Sequence, residues 1–142
     1  SMTALFPSVP KTLPILKKSG LSLGIVSTKG RLRIQPILER EGLLDLFDVI
    51  IGGEDVTDYK PAPQGLLAAM QRLGRSSAEC LYVGDSPVDA EAALRAGVPF
   101  VAVVSGMTGQ ETFENYPTYA TIFSLTELAE LTRCRTSQEK NG

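Results

Sequence analysis

Four short apolar runs do most to fix what this chain can fold into. They are LSLGIVS (21–27), FDVIIG (47–52), CLYVG (80–84) and FVAVVS (100–105). None shows the strict apolar–polar alternation of a strand with one wet face. Continuous apolar runs of this length suit strands of a parallel sheet that is covered on both faces. A further run, YATIFS (119–124), fits a fifth strand at the sheet edge.

Helical patterns separate the runs. PKTLPILKKSG starts near Val9 and Pro10 and stops at Gly20, with Leu13, Ile15 and Leu16 apolar. IQPILEREG carries Pro36, which a helix tolerates in its first turn, so that helix is expected to start near Ile34 or Gln35. PQGLLAAMQRLG puts Pro63 near its first position, Leu66, Met70 and Leu73 on one face, and Gly74 at its end. SLTELAEL carries a capping box, Ser124 with Glu127. The order β-α-β-α-β-α-β implies right-handed crossovers and an open, doubly wound, Rossmann-like α/β sheet. Its 142 residues suit one core domain over 3–133, with Ser1 and Met2 as a cloning scar and start, and a polar, flexible tail over 134–142.

Composition narrows the chemistry. The formal net charge is −2, so there is no basic field to attract nucleic acid or anionic lipid. No apolar run approaches the ~20 residues of a membrane span, and Pro7 and Pro10 interrupt any signal-peptide pattern, so a cytoplasmic location is expected. Two cysteines, Cys80 and Cys134, give no disulfide framework, and Cys80 opens an apolar strand as a core thiol. There are no histidines. Every mechanism with a histidine base and every histidine metal site is thereby excluded.

Ligands of doubly wound sheets bind beyond the carboxyl ends of the strands. Ser27, Gly52 and Asp85 all fall at such ends. In CLYVGDSPVDAEAALRAG (80–97), Ser86 as N-cap, Pro87 at the first position and Asp89 at the third build a helix start, and Ala90, Ala93 and Leu94 are expected to pack. Packing does not account for Asp85, a carboxylate directly after a buried strand; a hard cation such as Mg²⁺ would give it a partner. Lys60, in DYKPAPQG, is either a solvated lysine or a fixed cation beside a phosphoryl group. Ser27 and Thr28 are either a hydroxyl cap or donors to phosphate oxygens.

Taken together, LGIVST, then YKPAP, then GDSPVDAEAALRAG resemble the haloacid dehalogenase superfamily, most closely its phosphoglycolate phosphatase-like branch. Ser27 and Lys60 stand 33 residues apart and Lys60 and Asp85 stand 25 apart, which fits that pattern. The resemblance implies that Ser27, with Thr28, binds the transferring phosphoryl group of a small phosphorylated metabolite, that Lys60 neutralises it, that Asp85 ligates Mg²⁺ and that Asp89 orients the metal's waters or completes its shell.

The family pattern also begins with a strand ending in Asp-x-Asp, whose first aspartate attacks phosphorus. This sequence contains no Asp-x-Asp. It resembles the family core without its first central strand, its nucleophile and its cap domain, and is expected to be inactive alone and to bind Mg²⁺ weakly at best. The alternative is a naturally truncated, non-catalytic phosphate-binding or protein-interaction module. The first 20 residues are expected to hold no buried strand, which leaves a gap between the strands ending at Ser27 and Asp85. Direct pairing of those two strands is the simplest closure; a homodimer across the open edge, or another part of the chain, is the alternative.

Overall fold

The computed structural model describes residues 2–7, 21–104, 109–128 and 131. A six-stranded, wholly parallel sheet forms the centre, in the order β3-β2-β1-β4-β5-β6. The strands are β1 (Thr3–Phe6), β2 (Ser22–Val26), β3 (Phe47–Ile51), β4 (Cys80–Gly84), β5 (Phe100–Val103) and β6 (Ala120–Ile122). Three α-helices lie wholly within the described residues: α1 (Arg31–Arg40), α2 (Gln64–Leu73) and α3 (Pro87–Ala96). The expected α/β sheet therefore forms, and YATIFS does supply its edge strand. The expected helix over Val9–Gly20, Cys134 and the 134–142 tail lie outside the described residues.

The central gap is where the sequence reading needs correction. The strands ending at Ser27 and Asp85 do not pair with each other. Residues Thr3–Phe6 run between them as β1, all four buried, with Leu5 opposite Gly24 on one side and Tyr82 on the other. A TALF segment ahead of Pro7 is too short to show a strand period, and its burial comes from its neighbours. Gly24 makes the fit: a Cβ there would lie 2.7 Å from Leu5 Cδ2 and 2.6 Å from Val49 Cγ1. The edges that suggested a partner chain are thus paired within the chain.

Alternate residues of each strand feed two cores. Leu5, Val26, Ile51, Tyr82 and Phe100 face α2 and α3, which contribute Leu66, Met70, Ala90 and Ala93. Ala4, Phe6, Ile25, Leu81 and Val83 face the other side, where α1 contributes Ile34 and Leu38, and Leu128 joins them.

Two local expectations also change. Helix α1 begins at Arg31, so Pro36 lies inside it. Pro36 cannot donate to the Leu32 carbonyl, so that turn lacks one helical hydrogen bond. Leu94 does not pack; it is half exposed, whereas Ala90 and Ala93 are buried. The predicted ends of α2 and α3 hold: Gly74 and Gly97 close them in the left-handed conformation.

Strand β1 carries one imperfection. Thr3 is fully buried, and its hydroxyl has no hydrogen-bond partner among the described residues. Such a group costs about 1–3 kcal/mol, and an apolar group of the same shape removes that cost. Chemical denaturation is therefore expected to show Thr3→Val at least as stable as the parent. Leu5→Ala should lose about 2–5 kcal/mol; a loss below 1 kcal/mol would mean that β1 is not part of the core.

Candidate active site

The carboxyl ends of β2, β3 and β4 meet at one rim. Ser27 leaves β2 with its N–H donating to the Ile51 carbonyl at 2.9 Å, and its Oγ accepts from the Lys29 N–H at 3.1 Å. That turn is tied to the loop after β3. The Gly53 N–H donates to the Lys29 carbonyl at 3.0 Å, and the Arg31 N–H, at the start of α1, donates to the Glu54 carboxylate at 3.1 Å. Asp55 accepts from the Gly52 N–H at 2.8 Å and pairs with Arg31 at 3.2 Å and Arg72 at 3.3 Å. Burial pushes the Asp55 carboxyl up. The Gly52 N–H and the Arg72 and Arg31 guanidiniums outweigh that and hold it below the usual carboxylate range.

The second part of the rim is a buried polar knot. Lys60 Nζ donates to Asp89 Oδ1 at 2.8 Å and to the Tyr82 hydroxyl at 3.2 Å. The Tyr82 hydroxyl lies 3.3 Å from Asp89 Oδ1 and 3.5 Å from the Val26 carbonyl, either of which can take its proton. The Ser86 hydroxyl donates to Asp89 Oδ2 at 2.9 Å, and the Asp89 N–H donates back to Ser86 Oγ at 3.3 Å. Asp89 is only 4% exposed, and its position depends on Gly84. A Cβ at Gly84 would lie 2.7 Å from Asp89 Cβ. Burial, followed by the charge of Asp89 and the hydrogen bond to it, raises the Tyr82 phenol far above its ordinary value, so it stays protonated. Burial likewise pushes the Cys80 thiol up to about 11, as suits a core thiol.

Of the residues proposed from sequence, Ser27, Thr28 and Lys60 line one small crevice of about 10 Å³, room for roughly one water, above Val26, Ile51 and Leu66. Asp89 joins them through Lys60. Asp85 stands apart: it follows β4, is exposed, and no described residue hydrogen-bonds its carboxylate. Among the described residues no three His, Cys, Asp or Glu side chains group as a metal site. For a hard cation the fit is thus partial. Asp85 is open to one, whereas both oxygens of Asp89 are already engaged. Mg²⁺ accepts a single carboxylate with waters, so Asp85 alone suffices only for a weak site.

Three participants were not anticipated. Tyr82 could have been noticed as a polar ring in an otherwise aliphatic buried strand, two residues before the rim. The Glu54–Asp55 brace carries no motif. Asp58 also lines the crevice, on an exposed turn, with no described residue bonded to its carboxylate.

The brace makes a pH prediction. A carboxyl with a depressed folded-state value contributes stability that is present above its unfolded value, about 3.9, and is lost as pH falls through the folded value. The stability gap between the parent and Asp55→Asn, from urea unfolding, should be widest near pH 7 and shrink in acid. A gap that is constant with pH would contradict the pairing.

Comparisons with known proteins identify the family. The family described as haloacid dehalogenase-like hydrolase matches residues 1–103. A phosphoglycolate phosphatase of Salmonella paratyphi A is 45% identical over 104 residues, 73% of this chain and 41% of that protein. The phosphoglycolate phosphatase of Escherichia coli K12 is 40% identical over 112 residues, 79% of this chain and 44% of that protein. The chain thus spans less than half the length of these curated relatives. Among solved structures, a haloacid dehalogenase-like hydrolase from Bacteroides fragilis superposes with a TM-score of 0.78 at 50% identity, covering 84% of this chain and 59% of that one. A HAD phosphatase from Thermococcus onnurineus gives 0.74 at 32% identity, covering 87% and 57%. With the fold and the matched residues in agreement, the chain belongs to the haloacid dehalogenase-like hydrolase family.

Proposed function

We propose that the rim holds the phosphoryl group of a small phosphomonoester, and that this chain carries the phosphate-holding and cation-holding share of a phosphoglycolate phosphatase-like site. The observation that best supports this is that Ser27, Thr28 and Lys60 gather around one small crevice, whose one-water volume suits a single phosphoryl oxygen rather than the whole group. Ser27 Oγ accepts from the Lys29 N–H, which leaves its own proton for a phosphoryl oxygen. Thr28, next in the chain, is exposed. Lys60 directs part of its charge at Asp89 and keeps donor capacity for a second anion. When bound, Mg²⁺ would neutralise charge on the phosphoryl oxygens. Asp85 is the carboxylate available to hold it, and Asp89 would act through the metal's waters.

The reading stops short of turnover by this chain alone. Phosphoryl transfer through a covalent intermediate needs a positioned carboxylate and a matched acid–base, which act as a unit. No Asp-x-Asp is present, and Asp58, the carboxylate that lines the crevice, sits on an exposed turn without a base or an orienting partner. One observation favours the alternative of a non-catalytic phosphate-binding module: Thr3–Phe6 closes the sheet centre with a strand that carries no acid.

Calorimetry with inorganic phosphate tests the shared part of both readings. The chain should bind phosphate, Ser27→Ala should weaken binding about three- to tenfold, and any tightening by millimolar Mg²⁺ should vanish in Asp85→Asn. No phosphate binding would overturn the proposal. Hydrolysis of p-nitrophenyl phosphate and 2-phosphoglycolate separates the two readings. The chain alone should show background rates. Supplying a segment with an apolar strand ending in Asp-x-Asp should restore turnover for the phosphatase reading, and no recovery would favour the binding module. Turnover by the chain alone that is lost in Asp58→Asn would contradict both.

A further inference from the structure

We propose that Tyr82 is a positioning residue that aims Lys60, a role that rests on the phosphate-holding reading of the rim. The core does not require the Tyr82 hydroxyl. The ring is fully buried on the α2–α3 side of β4 and packs against Phe100 with centroids 6.4 Å apart, contacts that a phenylalanine would keep. A buried hydroxyl is costly unless it is bonded. Here it meets three groups: Lys60 Nζ, Asp89 Oδ1 and the Val26 carbonyl.

Lysine is a compact charge on a flexible stem, with three rotatable N–H donors. A single carboxylate partner holds the nitrogen near one point and lets the ammonium swivel about that bond. A second fixed acceptor removes the swivel. Asp89 at 2.8 Å is the first anchor and the Tyr82 oxygen at 3.2 Å is the second. The third N–H then has a set direction, and Lys60 lines the crevice that Ser27 and Thr28 also line. The Tyr82 backbone is paired on both sides, with Leu5 of β1 and Phe100 of β5.

The test uses nitrogen-15 spectra of lysine-labelled protein at low temperature, with the Lys60 ammonium assigned by its loss in Lys60→Arg. A buried, doubly bonded ammonium exchanges slowly and gives a resolved signal. In Tyr82→Phe that signal should broaden or disappear, and affinity for inorganic phosphate should fall about three- to tenfold, while the melting temperature stays within a few degrees of the parent. An unchanged Lys60 signal, or an altered signal with unchanged phosphate affinity, overturns the proposal, as does the lack of a Lys60 signal in the parent. If the parent binds no phosphate at all, the function proposed above fails, and the ammonium signal alone then decides whether Tyr82 holds Lys60. If Tyr82→Phe does not fold, 3-fluorotyrosine at position 82 keeps the shape and weakens the acceptor; the Lys60 resonance should shift, and an unmoved resonance overturns the proposal.

Discussion

A parallel sheet buried on both faces cannot leave its central strands unpaired, because every open N–H and C=O there would be desolvated without a partner. In this chain that constraint falls on the space between β2 and β4. Thr3–Phe6 fills it, pairing with Ser22–Ile25 on one side and Cys80–Tyr82 on the other. The register that results brings the ends of β2 and β4 level, so that Ser27 and Asp85 leave the sheet at the same rim. The helices follow from the same arrangement: two pack on one face, and α1 packs on the other with Leu128.

The chemistry of the rim is dominated by one buried ion pair. Lys60 and Asp89 have side chains that are 15% and 5% exposed, so removing either charge would strand the other, at a cost on the order of 3–5 kcal/mol. The Asp89 carboxylate also accepts hydroxyl hydrogen bonds from Tyr82 and Ser86. The two acids of GDSPVD therefore play different parts. Asp89 belongs to the scaffold of the site through Lys60. Asp85, four residues earlier, is exposed, and no described residue hydrogen-bonds its carboxylate.

Much of this was legible in the sequence. Continuous apolar runs gave β2 to β5, because strands buried on both faces need no alternation. Ser86, Pro87 and Gly97 marked α3, because caps act locally and leave a local signature. Strand β1 was hidden, since four residues ahead of a proline have no period of their own and are made a strand by Gly24 and Tyr82 across the sheet. The start of α1 was misplaced for a related reason: the Arg31 N–H at its first turn is bonded by Glu54, 23 residues away, a partner that the local pattern around Pro36 does not show. Tyr82 and the Asp55 brace were missed because their partners come from distant segments. The grouping of Ser27, Thr28 and Lys60 could be expected from motif order, but its tightness depends on the loops after β2 and β3 being bonded to each other.

The central claim is that one rim of this sheet is built to receive phosphate. Amide chemical-shift mapping during titration with inorganic phosphate tests it most directly. The account predicts saturable shifts confined to the Ser27–Lys29 turn, Gly53, the Lys60 turn and the Asp85–Ser86 strand end. Shifts centred instead on the groove near Leu94 and Tyr119 at the opposite end of the sheet, or no saturable shifts at all, would contradict it.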